Sequence, residues 1–185
     1  MKNSGKRSAA SYEHGVVWWI RPHAKSNAIT VDGEERISVA KMKIEFEKGG
    51  VFVAKLLQDE APRTCRTIKA KLPLAYRFHH SIVSGQALVT LPPDLTVERE
   101  NQRVAGIPPG TLSFLVRDEP MLVPDEIYIA YGLFISRGLT VDMKQPVNVF
   151  ARIEEKLDEL AQVGRRVLMN GAEVVRFSLV EDGGS

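Results

Sequence analysis

Cysteine is almost missing from this chain: Cys65 stands alone among 185 residues. One thiol excludes an intrachain disulfide and a cysteine-built metal centre. A dominant charge is missing too, with 25 Lys and Arg against 23 Asp and Glu, a formal net charge of +2. That balance gives no electrostatic case for nucleic acid or an anionic membrane as partner. The small excess sits in residues 1–41, which carry seven Lys/Arg and four Asp/Glu and read as a solvated arm. Long apolar runs are absent as well. Val16, Val17, Trp18, Trp19 and Ile20 form the longest N-terminal one. It is shorter than the ~7–15 residues of a signal-peptide core, and Arg21 and Pro22 follow at once. Nothing approaches the ~18–20 apolar residues of a membrane-spanning helix. The expectation is a cytoplasmic protein with no metal and no cofactor.

What is present is ordinary globular material, 44% apolar and 26% charged, in a length that suits one well-buried domain. Residues 1–15 are small and polar. Residues 28–31 and 36–39 read as short strands, with Asp32-Gly33 between them as a hairpin turn. Met42, Ile44 and Phe46 then alternate with Lys43, Glu45 and Glu47, the period of a half-buried strand. Residues 51–57 return as a second strand, 74–83, 111–116 and 127–135 as three more, and 172–180 as the last. Ala61, Cys65, Ile68 and Leu72 form one helical stripe, opened by Pro62 and closed by Pro73. A second stripe of Val149, Ile153, Leu157 and Leu160 predicts a helix over 148–162, capped by Asn148 and stopped by Gly164. The organisation expected is an N-terminal arm (1–41), a barrel domain (42–180) and a flexible tail (181–185). The fold class is mainly β with two helices, a closed or curled β-barrel capped by helices.

The segment richest in chemistry is Phe78-His79-His80-Ser81-Ile82-Val83-Ser84-Gly85-Gln86. Strand parity puts Leu74, Tyr76, Phe78, His80, Ile82 and Ser84 on one face, and Ala75, Arg77, His79, Ser81 and Val83 on the other. The two histidines therefore cannot readily chelate one ion, and His14 and His23 lack partners at a convincing spacing. His80 faces the interior or a pocket. Ser81 and Ser84 lie in no nucleophile elbow and read as strand-end or turn residues. Glu100 and Asn101 sit on a long loop between Pro93 and Pro108, beside Arg99 and Arg103. Tyr128 and Tyr131 fall on opposite faces of one strand.

The order of elements, with certain residues in it, resembles the cyclophilin fold. Asp59-Glu60-Ala61-Pro62-Arg63-Thr64 is similar to the opening of the first cyclophilin helix. Phe78-His79-His80 resembles "FHR", Gly110-Thr111-Leu112-Ser113-Phe114 resembles "G-x-LSM", and Asn148-Val149-Phe150-Ala151-Arg152-Ile153 resembles "FAKV". Ser81, Ser84-Gly85, Glu100-Asn101 and Pro109-Gly110 bring the chain closer to a bacterial cyclophilin-like family to which no reaction is firmly attached. The family's catalytic arginine falls at His80. Ser84-Gly85-Gln86-Ala87 lacks the glycine pair and acid of "QGGD". Phe114-Leu115-Val116-Arg117-Asp118-Glu119 is unlike "MANAGP". Arginine stays protonated where histidine is mostly neutral, so a gripping cation for prolyl isomerisation is missing.

Three readings follow. The preferred one is a barrel that binds a small polar metabolite, with or without turnover, a carboxylate among its groups. Its residues are His80, Ser84, Gln86, Glu100, Asn101 and Tyr131, expected to converge on one concave surface. The second is a peptidyl-prolyl isomerase or proline-peptide binder, and the third a non-catalytic assembly module. Trp18 and Trp19 on a short apolar segment also suggest a homo-oligomer.

Overall fold

The computed structural model describes residues 29–31, 34–36, 40–104, 106–118, 124–137 and 143–180. The chain divides into two units, residues 1–38 and 39–185. In the first, β1 (Ile29–Val31) pairs antiparallel with β2 (Glu34–Arg36), and Val31 lies opposite Glu34. This is the hairpin that Asp32-Gly33 predicts. Residues 16–20, 181–185, His14 and His23 fall outside the described residues.

The second unit closes on itself. Its strands are β3 (Lys41–Phe46), β4 (Val51–Leu56), β5 (Leu74–His80), β6 (Gly85–Thr90), β7 (Thr111–Leu115), β8 (Glu126–Phe134), β9 (Asn148–Ile153) and β10 (Glu173–Leu179). Around the barrel they run β10, β3, β4, β9, β7, β8, β6, β5, and every pairing is antiparallel. Alternation sends Ile44, Phe52, Phe78, Leu112, Ile129 and Phe150 into one interior cluster. A second apolar cluster, including Ala87, Leu115, Tyr128, Ala130 and Phe134, lies on the opposite side of the β6–β8–β7 wall.

Two helices close the barrel at opposite ends. The first, α1 (Pro62–Lys71), buries Thr64, Cys65 and Ile68 near the end of β4. The Cys65 thiol donates to the Phe150 carbonyl at 3.2 Å, and burial pushes its pKa up to about 12. It is a packed thiol, not a nucleophile. The second, α2 (Leu157–Asn170), buries Leu160, Val163 and Val167 near the start of β4.

The second helix begins later than the sequence suggests. Residues 148–153 are a strand, and Asn148 caps nothing. Because β9 is covered on both faces, Val149, Phe150, Ala151 and Ile153 are all buried, and the run loses its alternation. Val149 and Ile153 then match a helical stripe by coincidence. Gly164 lies inside α2 and does not stop it; a Cβ there would come within 2.3 Å of the Tyr131 ring. The helix ends at Gly171, where φ is +89°. The strand expected over 74–83 ends at His80, so its inner face does not reach Ile82, which is exposed, or Ser84; β6 was missed because Ser84-Gly85 breaks the chain just before it, with Gly85 at φ +90°.

Two polar fastenings hold this frame. Glu173 on β10 is fully buried and accepts a forked pair of bonds from Arg166 of α2, at 2.7 and 2.8 Å. Burial alone would raise the Glu173 pKa, but the Arg166 bonds and charge bring it below the ordinary range.

The other fastening pins the loop 91–110. Glu100 reaches across to α1, whose own N-cap, Ala61, offers no side-chain bond. Its carboxylate accepts from the Arg63 and Thr64 backbone N–H groups at 2.8 and 2.7 Å, and from the Thr64 hydroxyl at 2.6 Å. A distant carboxylate thus supplies the missing cap. Asn148 is the hub beneath. Its carbonyl oxygen accepts from Glu100 N and Gln102 Nε2, and its amide donates to Thr64 Oγ1 and Glu98 O, which uses all its bonding capacity. Asn101 imitates a strand neighbour, exchanging two 2.8 Å bonds with the backbone of Val149.

Arg166→Gln would leave Glu173 charged and buried without its fork, at an expected cost of about 3–5 kcal/mol. Urea unfolding measures it, and the double change Arg166→Met with Glu173→Leu is expected to recover most of the loss.

Glu100 gives a pH signature. Burial raises its pKa, but the bonds from Thr64 and Arg63 outweigh this and lower it below 4.5. Its contribution is complete above the unfolded value and disappears as pH falls through the folded one. Glu100→Gln is therefore expected to be less stable than the parent at pH 7, with the gap closing below pH ~4. Thermal midpoints across that range check it.

Candidate functional site

The six residues singled out from the sequence do not meet on one surface. Glu100 and Asn101 belong to the α1 end and serve the fastening just described. His80 and Tyr131 lie at the α2 end, inside the barrel mouth. His80 Nε2 and Tyr131 Oη are 2.7 Å apart, and the rings meet edge-on at 5.8 Å. Burial raises the Tyr131 pKa, opposed by the charge of Arg165. Gln86 accepts from the Leu133 backbone at 2.9 Å, where the β6–β8 register shifts. His79 points outward and is exposed.

Ser84 occupies a different wall. It is buried; its hydroxyl accepts from Arg137 N at 3.2 Å and meets the Tyr128 phenol. From there a polar chain runs along the outer wall of β8. Tyr128 donates to Glu126. Glu126 accepts from Arg117 at 2.8 Å, and Arg117 also donates to Gln145 at 2.5 Å. The Arg117 backbone N–H donates to Asp125 at 2.8 Å. Burial, then the charge and hydrogen bond of Glu126, raise the Tyr128 pKa well above its ordinary value, so the phenol keeps its proton and acts as a donor.

This wall also carries polar atoms with nothing to bind among the described residues. They are Arg117 Nε, Ser113 Oγ and Ser136 Oγ, all buried. Ser113 sits directly across from Tyr128 in the β7–β8 ladder, and the Ser136 carbonyl accepts from Gln145. Buried polar groups are nearly always satisfied, so three without partners on one wall make this the candidate site. Sequence reasoning passed over Ser113, Arg117, Glu126 and Ser136, because mixed charge beside a loop looks like solvated surface. The available signal was Ser113 between the apolar Leu112 and Phe114 at the centre of its strand.

Chemically, the wall offers a guanidinium held in a fixed plane and two hydroxyls able to donate or accept, beside a phenol whose proton goes to Glu126. Such a set recognises oxygen-bearing ligands. Among the described residues no group of three His, Cys, Asp or Glu is placed to hold a metal ion, and no helix is long and apolar enough to cross a membrane.

None of the curated proteins matches this chain significantly. Solved structures do share its fold. One is McbB, determined in complex with tryptophan, at 19% identity and a TM-score of 0.57; the match covers 78% of this chain. The chain spans 45% of the length of McbB. Another is the solution structure of a hypothetical protein from Archaeoglobus fulgidus, at 19% identity and a TM-score of 0.51, covering 76% of this chain and 94% of that one. A family model matches residues 44–179, which span the barrel from β3 to β10, and the chain belongs to that family, described as "Protein of unknown function (DUF3830)".

Proposed function

We propose that this barrel binds a small polar metabolite bearing a carboxylate, at the outer wall formed by Ser113, Arg117, Tyr128 and Ser136. The carrying observation is the set of three buried polar atoms on that wall without partners. A carboxylate offers four acceptor positions in a plane, which suits a guanidinium edge flanked by hydroxyls. Arg117 already neutralises Glu126 through one edge, so a ligand at Nε meets a nearly neutral, hydrogen-bonding site. That favours a ligand with one carboxylate and further polar groups over a highly charged one. The fold neighbour McbB was solved with tryptophan, an amino acid and so a member of this chemical class.

A thermal-shift screen of amino acids and small hydroxy- and keto-carboxylates tests the reading. A ligand at ~100 Kd raises stability by about 2.7 kcal/mol, a shift such a screen detects. Ser113→Ala is the decisive variant. It removes a hydroxyl with no protein partner, so the free protein is expected to keep or gain stability, while ligand binding weakens about tenfold. If no carboxylate in the screen shifts the parent protein, or if every shift survives Ser113→Ala and Arg117→Gln, the reading is wrong.

Prolyl isomerisation has less support. The residue at the position of the cyclophilin arginine is His80, engaged by Tyr131 inside the barrel mouth. A proline-peptide assay is expected to run at the uncatalysed rate. Acceleration that His80→Ala abolishes would reverse this.

A further inference from the structure

Strand register lines up a row of cations on the outer wall of β3, β4 and β9. Lys41 lies opposite Lys55 in the β3–β4 ladder, and Lys55 lies opposite Arg152 in the β4–β9 ladder. Their neighbours Met42, Ala54 and Ile153 point into the core, so all three cations share the outer face. Like charges directly opposite one another destabilise a sheet. With strands about 4.8 Å apart, the row is roughly 10 Å across.

Its compensation is incomplete. Glu154 pairs with Lys55 and also feels Arg152. No ion pair reaches Lys41 among the described residues, and Arg152 Nε is buried without a hydrogen-bond partner. The row lines a cleft of about 400 Å³, the size of a small-molecule site. Exposed Val51 and Val53 line it too, as do Glu155 and Lys156. Lys156 holds the left-handed conformation, with φ +57°, at the start of α2. For a residue with a side chain that conformation stores strain, and strain of this kind gathers at binding sites.

We infer that the Lys41–Lys55–Arg152 row is a binding site for a small polyanion whose anionic groups are spaced to meet more than one cation. A polycarboxylate and a phosphoanhydride share that chemistry. The row exceeds what one acidic ligand group needs, and the cleft is too confined for a duplex nucleic acid to lie along it. Repulsion in the empty row turns into attraction once the polyanion is bound.

Isothermal titration of the full chain with citrate and with pyrophosphate tests this, with acetate as the single-charge control. Citrate or pyrophosphate is expected to bind at least about tenfold more tightly than acetate, and which of them binds identifies the carboxylate or phosphate source. Arg152→Gln is expected to weaken binding about tenfold, and Glu154→Gln to tighten it several-fold. Lys41→Gln gives the separating readout: it is expected to raise the melting temperature of the free protein while weakening binding, whereas a purely structural lysine would lower stability. Arg117→Gln leaves this site untouched, so failure here and failure of the carboxylate reading at Arg117 are told apart. The inference is overturned if neither polyanion binds the parent protein, if binding survives both Arg152→Gln and Lys41→Gln, or if only nucleic acid or another macromolecular polyanion binds.

Discussion

The structure depends on one closing contact. The last strand, β10, pairs with β3 on one side through Val175 opposite Phe46 and with β5 on the other through Glu173 opposite Phe78. Without it, both edge strands would face solvent, and an open sheet of this length would present two ladders of unpaired backbone groups. Closure fixes everything downstream. The interior becomes a volume packed by the buried rings of Phe52, Phe78, Phe114 and Phe150. Helices can then only cover the two mouths, and Arg166 with Glu173 ties one of those covers to the closing strand itself. Both candidate binding surfaces lie on the outside of the wall.

That constraint explains why residues chosen for their chemistry turned out to serve architecture. Where a helix end or an irregular ladder leaves backbone polar groups without partners, a long loop lying over them must supply the missing bonds. Glu100, Asn101 and Asn148 do this by standing in for a helix cap and a strand neighbour. The same polar side chains that bind a ligand also bind backbone, and a sequence shows only their identity. His80 follows the same logic. Parity placed it correctly on the inner face, but Tyr131 was already there to meet it.

Most of the barrel was readable because its strands obey one rule. The alternation in β3, the glycine turn before β4, the proline that opens α1 and the parity of β5 and β8 each followed from spacing alone. The rule failed at β9, a strand buried on both faces, where alternation carries no information. It failed again at Gly164, whose meaning lies in the ring of Tyr131 packed on it from a distant strand. The Glu100 cap lies 37 residues along the chain from Arg63, so no local pattern could announce it. The wall at Arg117 stayed hidden for a different reason. Its members come from β7, β8, the turn before β6 and the segments after β7 and β8, and only cross-strand register puts Ser113 beside Tyr128.

The two walls proposed to bind ligands would recognise them in opposite ways, and the difference is electrostatic. At Arg117 the guanidinium is buried and spent against Glu126, so what remains is directional hydrogen bonding, which salt barely screens. At Lys55 the ammonium and its carboxylate partner are each about half exposed. Charges in such positions act through a dielectric near that of water and are screened within about 8 Å at physiological ionic strength. Affinity at the Arg117 wall should therefore come from shape and complementary donors. Affinity at the lysine row comes from charge number and weakens as salt rises. One barrel can carry both because closure makes its core indifferent to its surface. Each outward position is backed by an inward neighbour that already satisfies the fold, so neither wall needs the other in order to stand.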